Sequence, residues 1–244
     1  MSLMDLQRAS VTKRTAAWLL DTILVCILAV GFAVILSAVL RYDDKNADMK
    51  AAYESYEQEY GAVVGVSEEV YNTMPAQQQE SYNEVAYLSN LVLSLTLVMV
   101  TVSLLLSMMV TEFVIPLILK NGQTVGKKVF GIGLVRIDGV RANKMQIFVR
   151  ALLGKYTVET MIPLFVLIMI LFGILGMVGT IVLMVLGGVQ LICVCVTRNR
   201  APIHDLMAGT VAVDLSSQEI FSSTEELIAY TKRIHAERAK KQDY

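Results

Sequence analysis

The chain has 244 residues, of which 55% are hydrophobic and 18% charged, and its formal net charge is −1. A soluble domain carries roughly 25% charge, and here the charge is also unevenly placed, leaving stretches of spanning length almost bare. That excludes a soluble enzyme, and no nucleic-acid partner is expected.

The first element follows a short basic start, segment 1–15, with Arg8, Lys13 and Arg14. From Ala16 to Leu40 the only charged residue is Asp21, so 16–40 reads as a first membrane span. The run resembles a signal anchor but lacks a small-residue cleavage pattern before the acidic loop. Residues 41–87 form that loop, with ten acidic and three basic residues. Tyr53, Tyr56 and Tyr60 recur in it at helical spacing, as on an amphipathic helix that rests on the bilayer interface or offers a partner surface.

Residues 88–119 form the second span, with Glu112 as their only charge. Segment 120–157 then carries Lys120, Lys127, Lys128, Arg136, Arg141, Lys144, Arg150 and Lys155 against Asp138 alone. Within it, Val129–Ile137 reads as a short strand closing in an Asp138-Gly139 turn. From Thr160 to Thr197 no residue is charged. One straight helix of that length would extend ~57 Å, almost twice the hydrocarbon core. Gly173, Gly176 and Gly179 punctuate its middle, so it divides into spans 158–174 and 179–197; one kinked helix is the alternative.

Basic segments stay on the cytoplasmic side, and the N-terminus, segment 120–157 and Arg198 with Arg200 all satisfy that only if the spans are even in number. The expected architecture is an all-α integral membrane protein: a four-helix transmembrane bundle in the cell membrane, both termini cytoplasmic, loop 41–87 outside. Thr210–Val213 is a second β-like run, expected to pair with Val129–Ile137 in a small cytoplasmic sheet. Ser223-Thr224-Glu225-Glu226 is a capping-box pattern that opens a helix over 223–240, within a cytoplasmic tail of 215–244.

No constellation supports catalysis. Gly122-Gln123-Thr124-Val125-Gly126-Lys127-Lys128 departs from a phosphate loop in its glycine spacing and has no Ser or Thr after the lysine. His204 and His235 lie far apart, and Cys26, Cys193 and Cys195 read as small packing residues inside the spans, so neither metal site nor cofactor is expected. The chemistry-bearing candidates are the ionisable residues at the span ends. Asp21 and Glu112 lie about 10–12 Å in from the cytoplasmic side. A charge there is costly, so each acid needs a partner or a task.

Three motifs in order carry a resemblance. Arg14 and Asp21 stand in Lys13-Arg14-Thr15-Ala16-Ala17-Trp18-Leu19-Leu20-Asp21, the loop motif Gly122, Gln123, Thr124, Gly126, Lys127 follows, and Asp205 stands in Pro202-Ile203-His204-Asp205. Over about residues 10–214 the chain resembles the RDD family of bacterial membrane proteins, named for one arginine and two aspartates. The resemblance implies a polytopic membrane module, with transport of a small ligand or exchange of cations for protons proposed for some members.

Two function classes follow. One is transport, centred on Arg14, Asp21, Glu112 and Asp205. The other is an accessory or assembly role for a partner membrane protein or a second copy, with the same four residues locking helices together. Arg14 is expected to pair with Asp205, and Asp21 to lie near Glu112; in the transport reading one of the two acids keeps a proton for exchange, and in the lock reading hydroxyls satisfy Asp21.

Overall fold

The structure is a computed structural model that describes residues 6–62, 66–119, 121–197 and 200–242, the side chains of 238–242 excepted. Lys120 and Arg198, two of the basic residues used above, lie outside the described residues. Four helices are long and apolar enough to cross a membrane: α1 (Val11–Leu40), α4 (Ala76–Ile118), α6 (Lys144–Leu171) and α7 (Gly176–Val196). Between and after them lie α2 (Tyr42–Tyr60), α3 (Glu68–Thr73), α5 (Val125–Val129), β1 (Ile132–Arg136), α8 (Ile203–Ala208), β2 (Thr210–Asp214) and α9 (Thr224–Gln242).

The spanning helices expose apolar side chains that a soluble protein would bury, among them Trp18, Ile27, Val34, Met177, Met184 and Val196. In hydrocarbon those faces are satisfied, and a helix leaves no backbone polar group unpaired. Cys26 and Cys195 share this exposed surface, so they do not serve as interior packing residues. The apolar run after Thr160 is two helices. The turn between them uses left-handed glycines, Gly173 at φ +72° and Gly176 at φ +48°. Just beyond it, a Cβ on Gly179 would meet Ile170 Cγ1 at 2.5 Å, so glycine lets the two helices approach.

Two helices begin earlier than hydropathy suggests. α4 starts at Ala76 and α6 at Lys144, each more than ten residues ahead of its apolar run. For α6 the cause is local: Asn143 and Gln146 form a reciprocal capping box.

The chain divides into two compact units, Met1–Cys26 with Leu105–Tyr244, and Ile27–Leu104. The first is built around β1 and β2, antiparallel with Leu134 opposite Ala212 and Val135 opposite Val211. The strand is shorter than Val129–Ile137, because Val129 ends α5 and Gly131 takes φ +65° before the strand starts. Alternation sends side chains to both faces. Leu134 packs with Ile147, Phe113 and Leu117, while Val135, Val211 and Val213 pack with Leu6 and Ile220. The β2 edge is covered by the N-terminal segment, where Ala9 N donates to Ala212 O and Asp214 N to Gln7 O. The tail helix docks on the same unit, with Leu227 fully buried against Val140 and Phe221.

In the second unit α2 does carry Tyr53, Tyr56 and Tyr60 on a helix. Tyr56 is neither an interface anchor nor a docking surface. It is buried against Tyr60 and Tyr82, and its hydroxyl accepts from Gln78 Nε2 at 3.2 Å.

Candidate functional site

All the ionisable candidates lie in the first unit. Arg14 and Asp21 come from the start of α1, and Glu112 from a π-helical stretch, Met109–Val114, near the end of α4. A second π-helical stretch, Val149–Met161, runs through α6. Its hydrogen bonds join residues five apart, which brings Arg150 and Lys155 onto one side of the helix. Both reach the carboxylate of Glu112.

Arg150 is the hub of the cluster. Its Nε donates to Asp205 Oδ1 at 2.7 Å, its Nη1 to Glu112 Oε2 at 3.3 Å, and its Nη2 to His204 Nε2 at 3.0 Å. Glu112 also accepts from Lys155 Nζ, and Lys127 Nζ stands 4.0 Å from it. Asp205 accepts a further bond from the Thr210 hydroxyl at 3.2 Å, and Arg14 Nη2 lies 3.7 Å from its other oxygen. Arg14 thus pairs with Asp205 as expected, and its Nη1 also donates to Arg200 O at 2.8 Å.

The hydrogen bonds also fix the state of His204. A guanidinium has no acceptor, so His204 Nε2 must accept from Arg150 and carry no proton. Its proton then sits on Nδ1, which donates to Glu159 Oε2 at 2.7 Å. This neutral ring agrees with its basicity, which burial lowers, with Arg150 adding to the effect against Asp205. Glu159 Oε1 accepts from His204 N and from Gln190 Nε2 on α7. Close helix approach makes this arrangement possible, since a Cβ on Gly154 would sit 2.5 Å from His204 Cβ.

Asp21 has a different neighbourhood. Its carboxylate accepts from the Thr124 hydroxyl at 2.5 Å and from Gly126 N at 2.8 Å. The expectation that Asp21 and Glu112 share a site therefore fails, while a hydroxyl does satisfy Asp21 as the lock reading expects: one acid is held by neutral donors of the loop, the other by basic side chains. Thr124 Oγ1 also accepts from Lys127 N, which caps α5. Gly126 presses on α1 so closely that a Cβ would meet Ala17 O at 2.3 Å. Gln123 donates to Ile132 O at 2.8 Å, and Gly122 turns at φ +62° against Leu134. Thr124 and Gly126 thus fasten α5 to α1, Gln123 and Gly122 hold the loop to the sheet, and Lys127 turns towards Glu112.

In this part of the molecule the basic side chains Arg14, Lys127, Arg150 and Lys155 face the carboxyl groups Glu112, Glu159 and Asp205, with Asp21 set apart against the loop. Burial opposes ionisation of Asp205, but Arg150, His204 and Lys127 together outweigh it and hold the carboxyl below its usual range. Lys127 is the least satisfied member: its buried amine has no hydrogen-bond partner among the described residues. Burial pushes its ammonium down to about 7, with Arg150 adding to the effect and Glu112 opposing it. No group of three or more His, Cys, Asp or Glu is placed to hold a metal among the described residues.

The sequence reading missed Arg150, Lys155, Glu159, His204 and Gln190. Arg150 and Lys155 count there as loop charges marking the cytoplasmic side, and Glu159 falls between the basic segment and the uncharged run. The Asn143–Gln146 capping box was the available signal, because it starts α6 early enough to carry all three.

Comparison with curated proteins finds no match, and neither does comparison with solved structures. The sequence model of the RDD family matches residues 8–209, a span that takes in Arg14, Asp21, the loop motif, Arg150 and Asp205, and the chain belongs to the RDD family.

Proposed function

We propose that this protein is a non-enzymatic, multi-pass module of the cell membrane, with both termini and the small sheet on the cytoplasmic side. In this reading its buried charges are a fixed lock, not a carrier path, and the module acts as an accessory or assembly component for a partner membrane protein or a second copy. The observation that carries the reading is the guanidinium of Arg150, held at once by Asp205, Glu112 and His204. A carrier must release and rebind its ion, whereas Glu112 and Asp205 already hold several partners each. Removing one member of such a buried set costs roughly 3–5 kcal/mol, so the set is rigid on the scale of a protein's whole stability.

Cation–proton exchange is the second reading, and Lys127 is the observation that favours it. A buried amine held near 7 changes charge in the physiological range, next to Glu112. Reconstitution of the purified protein into liposomes separates the two. The lock reading expects no pH-driven Na⁺ or K⁺ flux above protein-free liposomes. Flux that Lys127→Met abolishes while the protein stays folded would replace it with exchange.

A further inference from the structure

Adjacent lysines on α5 point opposite ways. Lys127 turns into the charge cluster, and Lys128 stays exposed with no ion pair among the described residues. Beside Lys128 lies a groove of about 580 Å³ lined by Ile115, Ile118, Leu119, Val125, Lys128 and Val129. Five of the six lining residues are aliphatic, and the sixth is that unpaired cation.

We propose that this groove holds an acyl chain of an anionic membrane phospholipid, with the Lys128 ammonium on its headgroup phosphate. Its position supplies the occupant. One wall is the last turn of α4, where the apolar run 88–119 gives way to the lysine-rich segment 120–128, and we place the groove there, at the boundary of hydrocarbon and headgroups. The other wall is the 125, 128, 129 face of α5, residues three and four apart that lie together on a helix. That wall is fixed in advance: Thr124 and Gly126 bind Asp21, and Gly126 rests on Ala17. A preformed site spares the ligand the cost of ordering it. The charge is complementary as well. A lysine stem lies along apolar surface while its ammonium reaches the interface, and an anionic headgroup rewards it where a zwitterionic one does not. Free phosphate would engage the lysine and leave the apolar walls unfilled. The assignment holds for either reading of the charge cluster, because Lys128 takes no part in it.

Native mass spectrometry of the full chain in detergent tests this, using phosphatidylglycerol and phosphatidylcholine with identical acyl chains. The parent protein should retain phosphatidylglycerol about fivefold better, the size of one lysine's attraction to an anionic surface. Lys128→Gln should bring the two lipids to parity. Val129→Trp, which fills the groove from an exposed position, should lower retention of both. Equal retention of the two lipids by the parent, or an undiminished preference in Lys128→Gln, would overturn the proposal. So would a Val129→Trp variant that breaks a dimer and leaves phosphatidylglycerol retention intact, because the groove's occupant would then be a second copy.

Discussion

Between residues 41 and 87 the ion pairs join side chains three apart and stay exposed, as in Arg41–Asp44 and Lys45–Asp48. Around Arg150 the partners lie 38 and 55 residues away and are buried. The acidic segment keeps its carboxylates in water and buries Tyr56 instead. The Arg150 cluster buries its charges and must match them. Where water solvates a charge, a pair contributes little; where burial removes water, a charge persists only with its partners. One chain thus uses the same residue types as a solvated coat in one region and as a fastening in the other.

The largest test of that contrast is Arg150→Met, which leaves Asp205 short of its main partner and Glu112 short of one of its three. It should cost roughly 3–5 kcal/mol, read as lost folded protein in detergent. A drop no larger than that of an exposed pair would erase the distinction between the regions. Glycine contacts come next. Gly126→Ala drives a Cβ into Ala17 O and should cost about 1–3 kcal/mol. Gly31→Ala meets nothing within 4 Å and should gain about 0.5–1 kcal/mol from reduced chain entropy. Thermal unfolding of the two variants should therefore shift in opposite directions.

Lys127 provides a pH test. Its folded ammonium loses its proton near 7, and that of the unfolded chain near 10.4. Between those values the unfolded chain binds the extra proton, so Lys127 makes stability rise with pH from about 7 to about 10. The melting temperature of the parent relative to Lys127→Met should climb between pH 6.5 and pH 9; a flat difference would mean that the amine is not held neutral by the fold. The smallest effect belongs to the exposed region, where Lys45→Ala should change stability by no more than about 1 kcal/mol and less in high salt.

Much of the architecture was legible because it rests on local pattern. Apolar runs announce spans, glycines announce the turn between α6 and α7, and β-like runs announce the sheet. Asp21 was legible as a residue in need of a partner, and Arg14 with Asp205 as a pair. The hub was not, because hydropathy treats Arg150 and Lys155 as markers of a loop. They become membrane-edge residues only once a helix carries them, and a π-helical stretch then aims both at Glu112. No periodicity of 3.6 encodes a five-residue spacing. A hydroxyl partner for Asp21 was legible, but its second donor was not: a backbone N–H at Gly126 has no letter of its own in a sequence.

The most direct test of the lock is a double-mutant cycle on Arg150 and Asp205, with Arg150→Met, Asp205→Leu and the pair together, each followed by unfolding in detergent. Each single variant strands a buried charge and should lose roughly 3–5 kcal/mol, while the double variant replaces the pair with apolar groups and should recover a large part of that loss. Coupling of at least about 2 kcal/mol between the two sites is the expected result. Losses that simply add would contradict the account, because they would mean that Arg150 and Asp205 do not hold each other in the folded protein.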